Sequence, residues 1–273
     1  MENLNKIKAT ATRAAKRAGE QLLKEFFKFD RSKIELKSKF EILTKCDLIS
    51  ERIILNEIKK AFPTHAILSE ESGSNSIKSE YLWIIDPIDG STNFSFHNPL
   101  WSISIGLAKD NQLICGLVYV PILKELYWAE KNKGAFCNGK KIKVSNLTDG
   151  NAVHTFCHGG TKGDIKTALA YYKKQKLDKL DCRQLGSAAI ELAFVASGRT
   201  ESIMIPGVRI WDIAAGVLLV REAGGQVTDF SGKPWQLEFS DTIFKNNETS
   251  SRKDILASNC LVHDEILKVI KKI

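Results

Sequence analysis

Two aspartates lie three residues apart in a segment that could bind a metal ion, since residues 83–94 read WIIDPIDGSTNF. The apolar run before Asp86 predicts a strand covered on both faces, and strand ends are where α/β folds place their chemistry. Two carboxylates on the bend that follows can face one point, where they repel each other unless a cation lies between them. Because Mg²⁺ prefers oxygen ligands and keeps waters that a substrate can displace, the pattern predicts a Mg²⁺ site. Its expected ligands are Asp86, Asp89 and the backbone carbonyl of Ile88.

The three residues after Asp89 could bind a phosphate group. Gly90, Ser91 and Thr92 offer successive backbone N–H groups, in the manner of phosphate-binding helix starts. The alternative is a turn between two strands, since Asp, Pro and Gly all favour turns. The complete string of residues 83–94 favours the functional interpretation over the turn.

Two further acids are expected at the same edge of the sheet. Glu70 follows a predicted strand at 66–68, and Asp212 begins a predicted helix at 211–222. Each also has a structural explanation, because Glu70 could lie in a solvated loop and Asp is among the best helix N-caps. Considered alone, Asp212 is better explained as a cap. Beside the paired aspartates, both acids become candidate metal ligands.

Hydrophobic periodicity and turn signals predict alternating helices and strands. Helices are expected at 3–28, 47–61, 163–175, 187–197, 211–222 and 262–271. Strands are expected at 66–68, 81–85, 100–108, 112–120, 125–130, 152–157, 181–184, 201–205, 226–229 and 254–258, with a hairpin turn at Asn138 and Gly139. The fold class is therefore α/β or α+β, with sheets packed between helices.

The polar stretch 145–151 is the expected junction between two domains. Residues 1–145 would form an N-terminal α+β domain that contains the metal and phosphate motif. Residues 146–273 would form a C-terminal α/β domain that closes the site with Asp212.

Composition restricts the class of protein. The chain has 273 residues, of which 43% are hydrophobic and 26% charged; this is ordinary for a globular enzyme and excludes disordered and fibrous classes. No apolar run is long enough for a membrane helix. The six cysteines lack metal-binding spacing, so reduced thiols in a cytoplasmic protein are expected. The net charge of +8 is compatible with anionic substrates or with nucleic acid.

Taken together, these residues resemble the inositol monophosphatase family of Mg²⁺-dependent, Li⁺-sensitive phosphatases. The resemblance covers residues 83–94 and residues 211–225, which read WDIAAGVLLVREAGG, and it extends to residues 44–47 and 70–72. Order and spacing hold along nearly the whole chain. The resemblance implies a sugar-phosphatase-like, five-layer αβαβα sandwich, a homodimer, and Mg²⁺-dependent hydrolysis of phosphate monoesters.

The resemblance also implies a function for each candidate residue. A first metal ion would be held by Glu70, Asp86 and the carbonyl of Ile88, and a second by Asp86, Asp89 and Asp212. The phosphate would be bound by Gly90, Ser91 and Thr92. The expected catalytic residues are Asp47, Glu70 and Ser91, with Ser91 and Asp47 orienting the attacking water. In-line attack by metal-activated water is the implied reaction, because bound metals lower the pKa of water and neutralise the charge of phosphoryl transfer.

The substrate pocket is expected at Arg183, Gly186, Ser187 and Ala188, which match the stretch that lines it in the family. One position departs from the family pattern. Many members have a glutamate seven residues before the signature Asp, and this position here is Ile205. Isoleucine cannot accept a hydrogen bond from a substrate hydroxyl, and such a loss changes discrimination strongly. The expected substrate is therefore an inositol phosphate or another sugar or polyol phosphate.

Two other functions remain open at this point. One is a nucleotide or bisphosphate phosphatase. The other is an RNA- or transcription-associated binding protein that retains the phosphatase fold, an alternative motivated by the positive charge and by the resemblance to bacterial family members. Isolated histidines are interpreted as structural, although His158, followed by Gly159 and Gly160, begins the second half of the chain near the expected cleft.

Overall fold

The computed structural model describes residues 2–28, 35–36, 42–43, 45–237 and 252–273. Thr44, which is part of the resemblance, lies outside the described residues. The described helices are α1 (Leu4–Phe26), α2 (Lys45–Ala61), α3 (Ser91–Ser95), α4 (Lys162–Leu177), α5 (Ala188–Ala196), α6 (Ile210–Glu222) and α7 (His263–Ile270). Each of the predicted helices is found, with ends that differ by at most two residues.

The first large sheet has eight strands in the order β10-β9-β8-β7-β6-β5-β3-β4. Their bounds are β3 (Ala66–Ser69), β4 (Gly73–Ser74), β5 (Tyr81–Asp89), β6 (Ser102–Lys109), β7 (Gln112–Val120), β8 (Glu125–Glu130), β9 (Gly134–Cys137) and β10 (Lys140–Ile142). β3 and β5 run parallel, and the other neighbours run antiparallel. A separate pair of short strands, β1 (Glu35–Leu36) and β2 (Ile42–Leu43), precedes this sheet.

The second large sheet has five strands in the order β12-β11-β13-β15-β14. Their bounds are β11 (Val153–Phe156), β12 (Asp181–Arg183), β13 (Ser202–Val208), β14 (Gln226–Thr228) and β15 (Lys253–Ser258). β11 runs parallel to β12 and β13, while β15 runs antiparallel to β13 and β14.

The helices and sheets form five layers. α1 and α2 pack on one face of the first sheet, α5 and α6 lie between the two sheets, and α4 and α7 cover the far face of the second sheet. Three buried apolar clusters fill the spaces between these layers. The αβαβα sandwich that the resemblance implies is therefore confirmed.

Strand β5 is buried on both faces, which explains its almost continuous apolar run. Because side chains alternate across a strand, Trp83 and Ile85 pack toward α1 and α2, whereas Leu82 and Ile84 pack toward α5 and α6. All nine residues of β5 are buried. A strand between two helical layers has no solvated face, so both sets of side chains must be apolar.

The end of β5 differs from the sequence prediction. The strand was expected to stop at residue 85, but it continues to Asp89, and its pairing with β6 shifts register between Asp86 and Asp89. Pro87 lies within this irregularity, where a residue without an N–H group is tolerated. The Ser50 hydroxyl of α2 donates a 2.8 Å hydrogen bond to the Pro87 carbonyl and fixes the irregular segment.

Two smaller expectations can also be compared with the structure. The hairpin between β9 and β10 turns at Asn138 and Gly139, whose φ values of 48° and 79° are the positive angles that a two-residue hairpin turn favours. Among the residues that the structure describes, no helix is both long and apolar enough to span a bilayer.

Candidate metal and phosphate site

Three acids from distant parts of the chain meet at one edge of the first sheet. Glu70 follows β3, Asp86 lies near the end of β5, and Asp212 is in the first turn of α6. One carboxylate oxygen from each lies within 4.8 Å of the other two. We call these three residues the acidic cluster. The parallel pairing of β3 and β5 brings the first two together, and the Glu70 N–H donates to the Ile85 carbonyl at 3.1 Å.

Close packing of α6 on the first sheet brings Asp212 to the acidic cluster. A Cβ atom at Gly116 would lie 2.6 Å from the Ala215 carbonyl oxygen, so only glycine permits this approach. The Ser104 hydroxyl of β6 donates to the Trp211 carbonyl at 3.3 Å. The Asp212 carboxylate also accepts the Arg209 N–H at 3.3 Å, so it contributes to the helix start as well as to the cluster. The cap and ligand interpretations of Asp212 are thus compatible.

Electrostatics make the acidic cluster unfavourable without a cation. Asp86 is 2% exposed. Burial raises the pKa of Asp86 well above its usual value, and the charges of Glu70, Asp89, Asp212 and Asp47 raise it further. One Asp86 oxygen accepts the Ile88 N–H at 3.0 Å, which fixes the side chain against its own turn. A divalent cation would offset the desolvation and the repulsion together.

Helix α2 supports the acidic cluster from behind. Asp47 is buried in the first turn of α2, close enough for its charge to act on Asp86. Glu51, one turn later, accepts the Ser72 N–H at 3.0 Å and the Ser72 hydroxyl at 3.1 Å. These bonds hold the loop that follows β3 and thereby help to position Glu70.

Asp89 lies outside the acidic cluster and is hydrogen-bonded to the start of α5. Its carboxylate accepts a short hydrogen bond from the Ser187 hydroxyl, and bonds of 3.2 and 2.9 Å from the Ala188 and Ala189 N–H groups. The Ser102 hydroxyl adds a 3.3 Å bond. Burial raises the pKa of Asp89 to about 6, although these hydrogen bonds act in the opposite direction. Asp89 therefore anchors the substrate-pocket stretch, and its function as a metal ligand stays a prediction.

The predicted phosphate-binding residues open a helix of five residues, α3. Gly90 precedes it with φ +87°, and a Cβ there would lie 3.1 Å from the Leu100 and Gly186 carbonyl oxygens. The Asn93 amide nitrogen of α3 donates to the Leu100 carbonyl at 2.6 Å and to the Leu185 carbonyl at 2.8 Å. The start of α3 is therefore tied to the loop before α5.

A cavity of about 560 Å³ joins most of the predicted residues. The predicted residues that line it are Glu70, Asp86, Ile88, Asp89, Gly90, Ser91, Thr92, Gly186, Ala188, Ile205 and Asp212. Three others are not among its lining residues. Asp47 is buried behind the acidic cluster, Ser187 is the 1% exposed N-cap of α5, and Arg183 lines a neighbouring cavity.

Sequence reasoning missed a buried acid beneath the substrate-pocket loop. One Glu191 oxygen accepts the Leu185 and Gly186 N–H groups at 3.1 and 3.0 Å and the Cys157 thiol at 2.9 Å. Burial raises the pKa of Glu191 to about 7, against the effect of these hydrogen bonds. The signal in the sequence was a single acid in the otherwise apolar stretch Ala188–Ala196. Two arginines that line the cavity, Arg209 and Arg252, were also missed.

Comparisons with known proteins agree with this arrangement. The model of the inositol monophosphatase family matches residues 3–267. A fructose-1,6-bisphosphatase/inositol-1-monophosphatase of Aquifex aeolicus is 36% identical over 275 residues, covering 100% of this chain and 98% of that protein. A Pasteurella multocida protein named Nus factor SuhB is 38% identical over 232 residues, covering 84% and 87% of the two chains.

Solved structures show the same likeness. The crystal structure of extragenic suppressor protein suhB from Bartonella henselae superposes with a TM-score of 0.84 at 31% identity, covering 97% of this chain and 98% of that one. The match of the family model, over residues 3–267, includes both signature segments. The chain belongs to the inositol monophosphatase family and is a phosphoric monoester hydrolase.

Proposed function

We propose that this protein hydrolyses a small phosphate monoester, either an inositol phosphate or another sugar or polyol phosphate, with Mg²⁺ as its cofactor. The observation that carries the proposal is the acidic cluster, which lines one cavity together with the start of α3. Metal ligands and a phosphate-binding helix start on one cavity wall are the two parts that phosphoryl transfer to water requires.

The acidic cluster fits Mg²⁺ by its donor chemistry. It consists of oxygen donors alone, and the buried Asp86 carboxylate is unfavourable without positive charge nearby. As the resemblance implies, Glu70, Asp86 and the Ile88 carbonyl would hold a first ion, and Asp86, Asp89 and Asp212 a second. When bound, Mg²⁺ neutralises charge on the phosphate group and lowers the pKa of the attacking water.

The chain's own residues would hold the other reactants. The backbone N–H groups of Gly90, Ser91 and Thr92 bind the phosphate oxygens and orient the phosphorus for in-line attack. The Ser91 hydroxyl and the Asp47 and Glu70 carboxylates orient the water on the side opposite the leaving oxygen. Asp47 acts from its buried position in α2, where it faces the acidic cluster.

The leaving group would lie against the loop before α5 and the end of β13. Gly186, Ala188 and Ile205 line this part of the cavity, and the Ser187 hydroxyl anchors the loop through Asp89. Arg183, in the neighbouring cavity, would reach only the outer part of a substrate. Because Ile205 offers no hydrogen-bond acceptor on its side chain, we expect a modest preference among polyol leaving groups.

A panel assay of phosphate release tests this proposal. The panel contains inositol 1-phosphate, fructose 1,6-bisphosphate, glycerol 2-phosphate, adenosine 3′,5′-bisphosphate and NADP, each with Mg²⁺ and with EDTA. We expect Mg²⁺-dependent turnover that ranks sugar and polyol phosphates above the nucleotides. Turnover confined to the nucleotides would instead favour a nucleotide phosphatase, and folded protein without turnover would contradict the proposal.

A second candidate function is binding to RNA within a transcription complex. Two observations favour it: relatives are named Nus factor SuhB, and a basic concavity on α1 is lined by Lys8, Arg13, Lys16 and Arg17. Salt-dependent binding of RNA by the variant Asp86→Asn would support this function independently of hydrolysis. Absence of binding at low salt would exclude it.

We further propose a cytoplasmic homodimer that is inhibited by Li⁺, as the family resemblance implies. The six cysteines are all free, which agrees with a reducing compartment.

A domain boundary at residues 145–146 remains our proposal. In its support, the strands of the first large sheet end at residue 142 and those of the second begin at residue 153. Light scattering tests the homodimer, and limited proteolysis tests the domain boundary.

A further inference from the structure

A buried acid lies directly behind the cavity wall and has no part in the reaction described so far. Glu191 is in the first turn of α5, and its side chain is completely buried. One of its oxygens accepts the Leu185 N–H at 3.1 Å, the Gly186 N–H at 3.0 Å and the Cys157 thiol at 2.9 Å. All three donor residues line the cavity, whereas Glu191 does not. A single carboxylate oxygen therefore joins two segments of the wall from behind.

The contacts of Glu191 continue to the predicted phosphate-binding helix. The Gly186 N–H and the Leu185 carbonyl are the two ends of one peptide group. Its N–H donates to Glu191, and its carbonyl accepts the Asn93 amide nitrogen of α3 at 2.8 Å. Hydrogen bonds at the two ends of a peptide group polarise each other, so a charged acceptor at Glu191 strengthens the bond to Asn93. On the same side, a Cβ at Gly90 would lie 3.1 Å from the Gly186 carbonyl oxygen, which shows how closely the loop and the start of α3 pack.

We propose that Glu191 is a positioning residue for phosphate binding, which acts through the peptide group between Leu185 and Gly186 to hold the start of α3 against the acidic cluster. This inference rests on the proposed function, since the phosphate is taken to bind the N–H groups at the start of α3. Glu191 itself contacts neither the phosphate nor the metal. Its effect depends on the strength with which one buried oxygen accepts hydrogen bonds.

The environment of Glu191 supports a functional rather than a stabilising role for its charge. Burial raises the pKa of Glu191 to about 7, so ionisation of this group at neutral pH is unfavourable for folding. Buried acids with a strongly shifted pKa are common at functional sites. Two thiols face Glu191, Cys157 after β11 and Cys182 of β12, and burial raises the pKa of both, so that they stay neutral. Asp89 at the end of β5 adds a negative charge that acts on Cys157.

Steady-state kinetics separate positioning from a purely structural role. KM and kcat for inositol 1-phosphate, and inhibition by inorganic phosphate, are measured at pH 8 with excess Mg²⁺ for wild type, Glu191→Gln and the control Glu201→Gln. Glu201 is also a buried acid that accepts a backbone N–H, from Val153 at 2.5 Å, but it does not line the cavity. The control therefore removes a buried charge of the same kind from another part of the chain.

The expected loss is in binding. A neutral acceptor forms weaker hydrogen bonds than a carboxylate, so Glu191→Gln should raise KM and the inhibition constant of inorganic phosphate about tenfold. kcat should change by less than about threefold, because the N–H groups of α3 contact the phosphate before and during the reaction. A smaller folded fraction would lower kcat and leave KM unchanged. Unchanged KM and phosphate inhibition in Glu191→Gln, or an equal rise in Glu201→Gln, overturns the proposal.

The pH dependence of the same comparison isolates the charge. The ratio of KM in Glu191→Gln to KM in wild type is measured from pH 5.5 to pH 8. Below pH 7 the wild-type acid is mostly protonated and resembles the amide, so the ratio should approach 1, and it should rise toward about ten as the acid ionises. Asp89 and the other titrating groups are present in both proteins and cancel in the ratio. A ratio that does not change with pH contradicts the proposal.

A second variant breaks the link from its other end. Asn93→Ala removes the amide that joins α3 to the Leu185 carbonyl. We expect it to raise KM and the inhibition constant of inorganic phosphate with little change in kcat, as in Glu191→Gln. Unchanged values in Asn93→Ala would overturn the proposal, and this test remains available if Glu191→Gln fails to fold.

Hydrogen exchange distinguishes failure of this proposal from failure of the proposed function. Amide exchange of α3 is compared at pH 8 in wild type, Glu191→Gln and Glu201→Gln, by mass spectrometry of peptides that contain residues 91–95. Faster exchange in Glu191→Gln alone supports the link from Glu191 to α3 even if wild type shows no turnover, in which case only the proposed function fails. Exchange of α3 that is the same in wild type and Glu191→Gln overturns the assignment of Glu191.

Discussion

Asp86 and Asp89 are both buried at the end of β5, but they lie in opposite environments. Asp86 faces Glu70 and Asp212, and its carboxylate is surrounded by other acids. Asp89 faces the start of α5 and accepts hydrogen bonds from Ser187, Ala188 and Ala189. Burial raises the pKa of both groups, but Asp89 accepts four hydrogen bonds that favour its ionised form, whereas the one hydrogen bond to Asp86 given above comes from the Ile88 N–H.

The difference shows two ways in which the charge of a buried carboxylate can be stabilised. A carboxylate can be stabilised by donors from its own chain, as at Asp89, or it can be left for a cation from solution, as we propose for Asp86. Glu191 is a third case, because it accepts the Leu185 and Gly186 N–H groups and yet burial raises its pKa to about 7. Substitution of each acid by its amide tests which case applies.

The largest effect is expected for Asp86→Asn. Removal of a residue that only supports a metal ligand can lower activity about 100-fold. Loss of the Asp86 carboxylate, a predicted ligand itself, should lower phosphate release by more than this. Without metal the variant should be more stable than wild type, since repulsion from Glu70 and Asp212 is relieved. Phosphate-release assays and thermal unfolding in EDTA measure both effects. Near-normal turnover would show that Asp86 holds no catalytic metal.

Glu191→Gln is expected to change the pH dependence of stability. The pKa of Glu191 is about 7 in the folded protein, above its value in an unfolded chain, so wild type loses stability as pH rises from about 4.5 to 7. The variant cannot ionise at this position. Its free energy of unfolding relative to wild type should therefore grow across this window, by at most about 3 kcal/mol.

Urea unfolding at pH 4.5 and pH 8 measures this trend. The exposed Glu20 of α1 provides the matched control, as Glu20→Gln. If the difference between wild type and Glu191→Gln is the same at both pH values, Glu191 ionises in the folded protein as readily as in the unfolded chain.

Ile205→Glu adds an acid to the cavity wall opposite the acidic cluster. Ile205 lines the cavity from β13, and a carboxylate there could accept a hydrogen bond from a substrate hydroxyl. We expect kcat/KM for inositol 1-phosphate to rise about tenfold relative to glycerol 2-phosphate. The control Ile205→Val keeps the wall apolar and should leave the ratio unchanged. An unaltered ratio in Ile205→Glu would mean that the leaving group does not contact β13.

The smallest effect on stability is expected for Asp89→Asn. The amide leaves one N–H group at the start of α5 without its acceptor, but it removes a charge whose burial raises the pKa of Asp89 to about 6 against its hydrogen bonds. At pH 7 the free energy of unfolding should therefore rise by about 1 kcal/mol, less than in Asp86→Asn, and phosphate release should fall if Asp89 binds metal as the resemblance implies. Parallel urea titrations in EDTA compare the two variants. A loss of stability for Asp89→Asn would show that its hydrogen bonds contribute more than its desolvation costs.

Local pattern was enough to predict the long helices and strands, whereas Glu70 and Asp212 became candidate ligands only in the company of the paired aspartates. β5 is recognisable because a strand between two helical layers needs apolar side chains on both faces, and Asp86 follows that run. The contacts of Asp89 could not be predicted, because its partners on α5 are 98 to 100 residues away in sequence. Arg252 is a lone arginine beside a strand, and nothing local distinguishes it from a surface charge. The continuation of β5 to Asp89 was missed because Pro87 usually ends a strand.

Calorimetric titration of Mg²⁺ into wild type, Asp86→Asn and Glu191→Gln tests most directly whether the acidic cluster is the metal site. We predict that wild type and Glu191→Gln bind Mg²⁺ with similar affinity, since Glu191 lies outside the cluster, and that Asp86→Asn shows no binding at the same concentrations. Binding of Mg²⁺ by Asp86→Asn with the affinity of wild type would contradict the assignment.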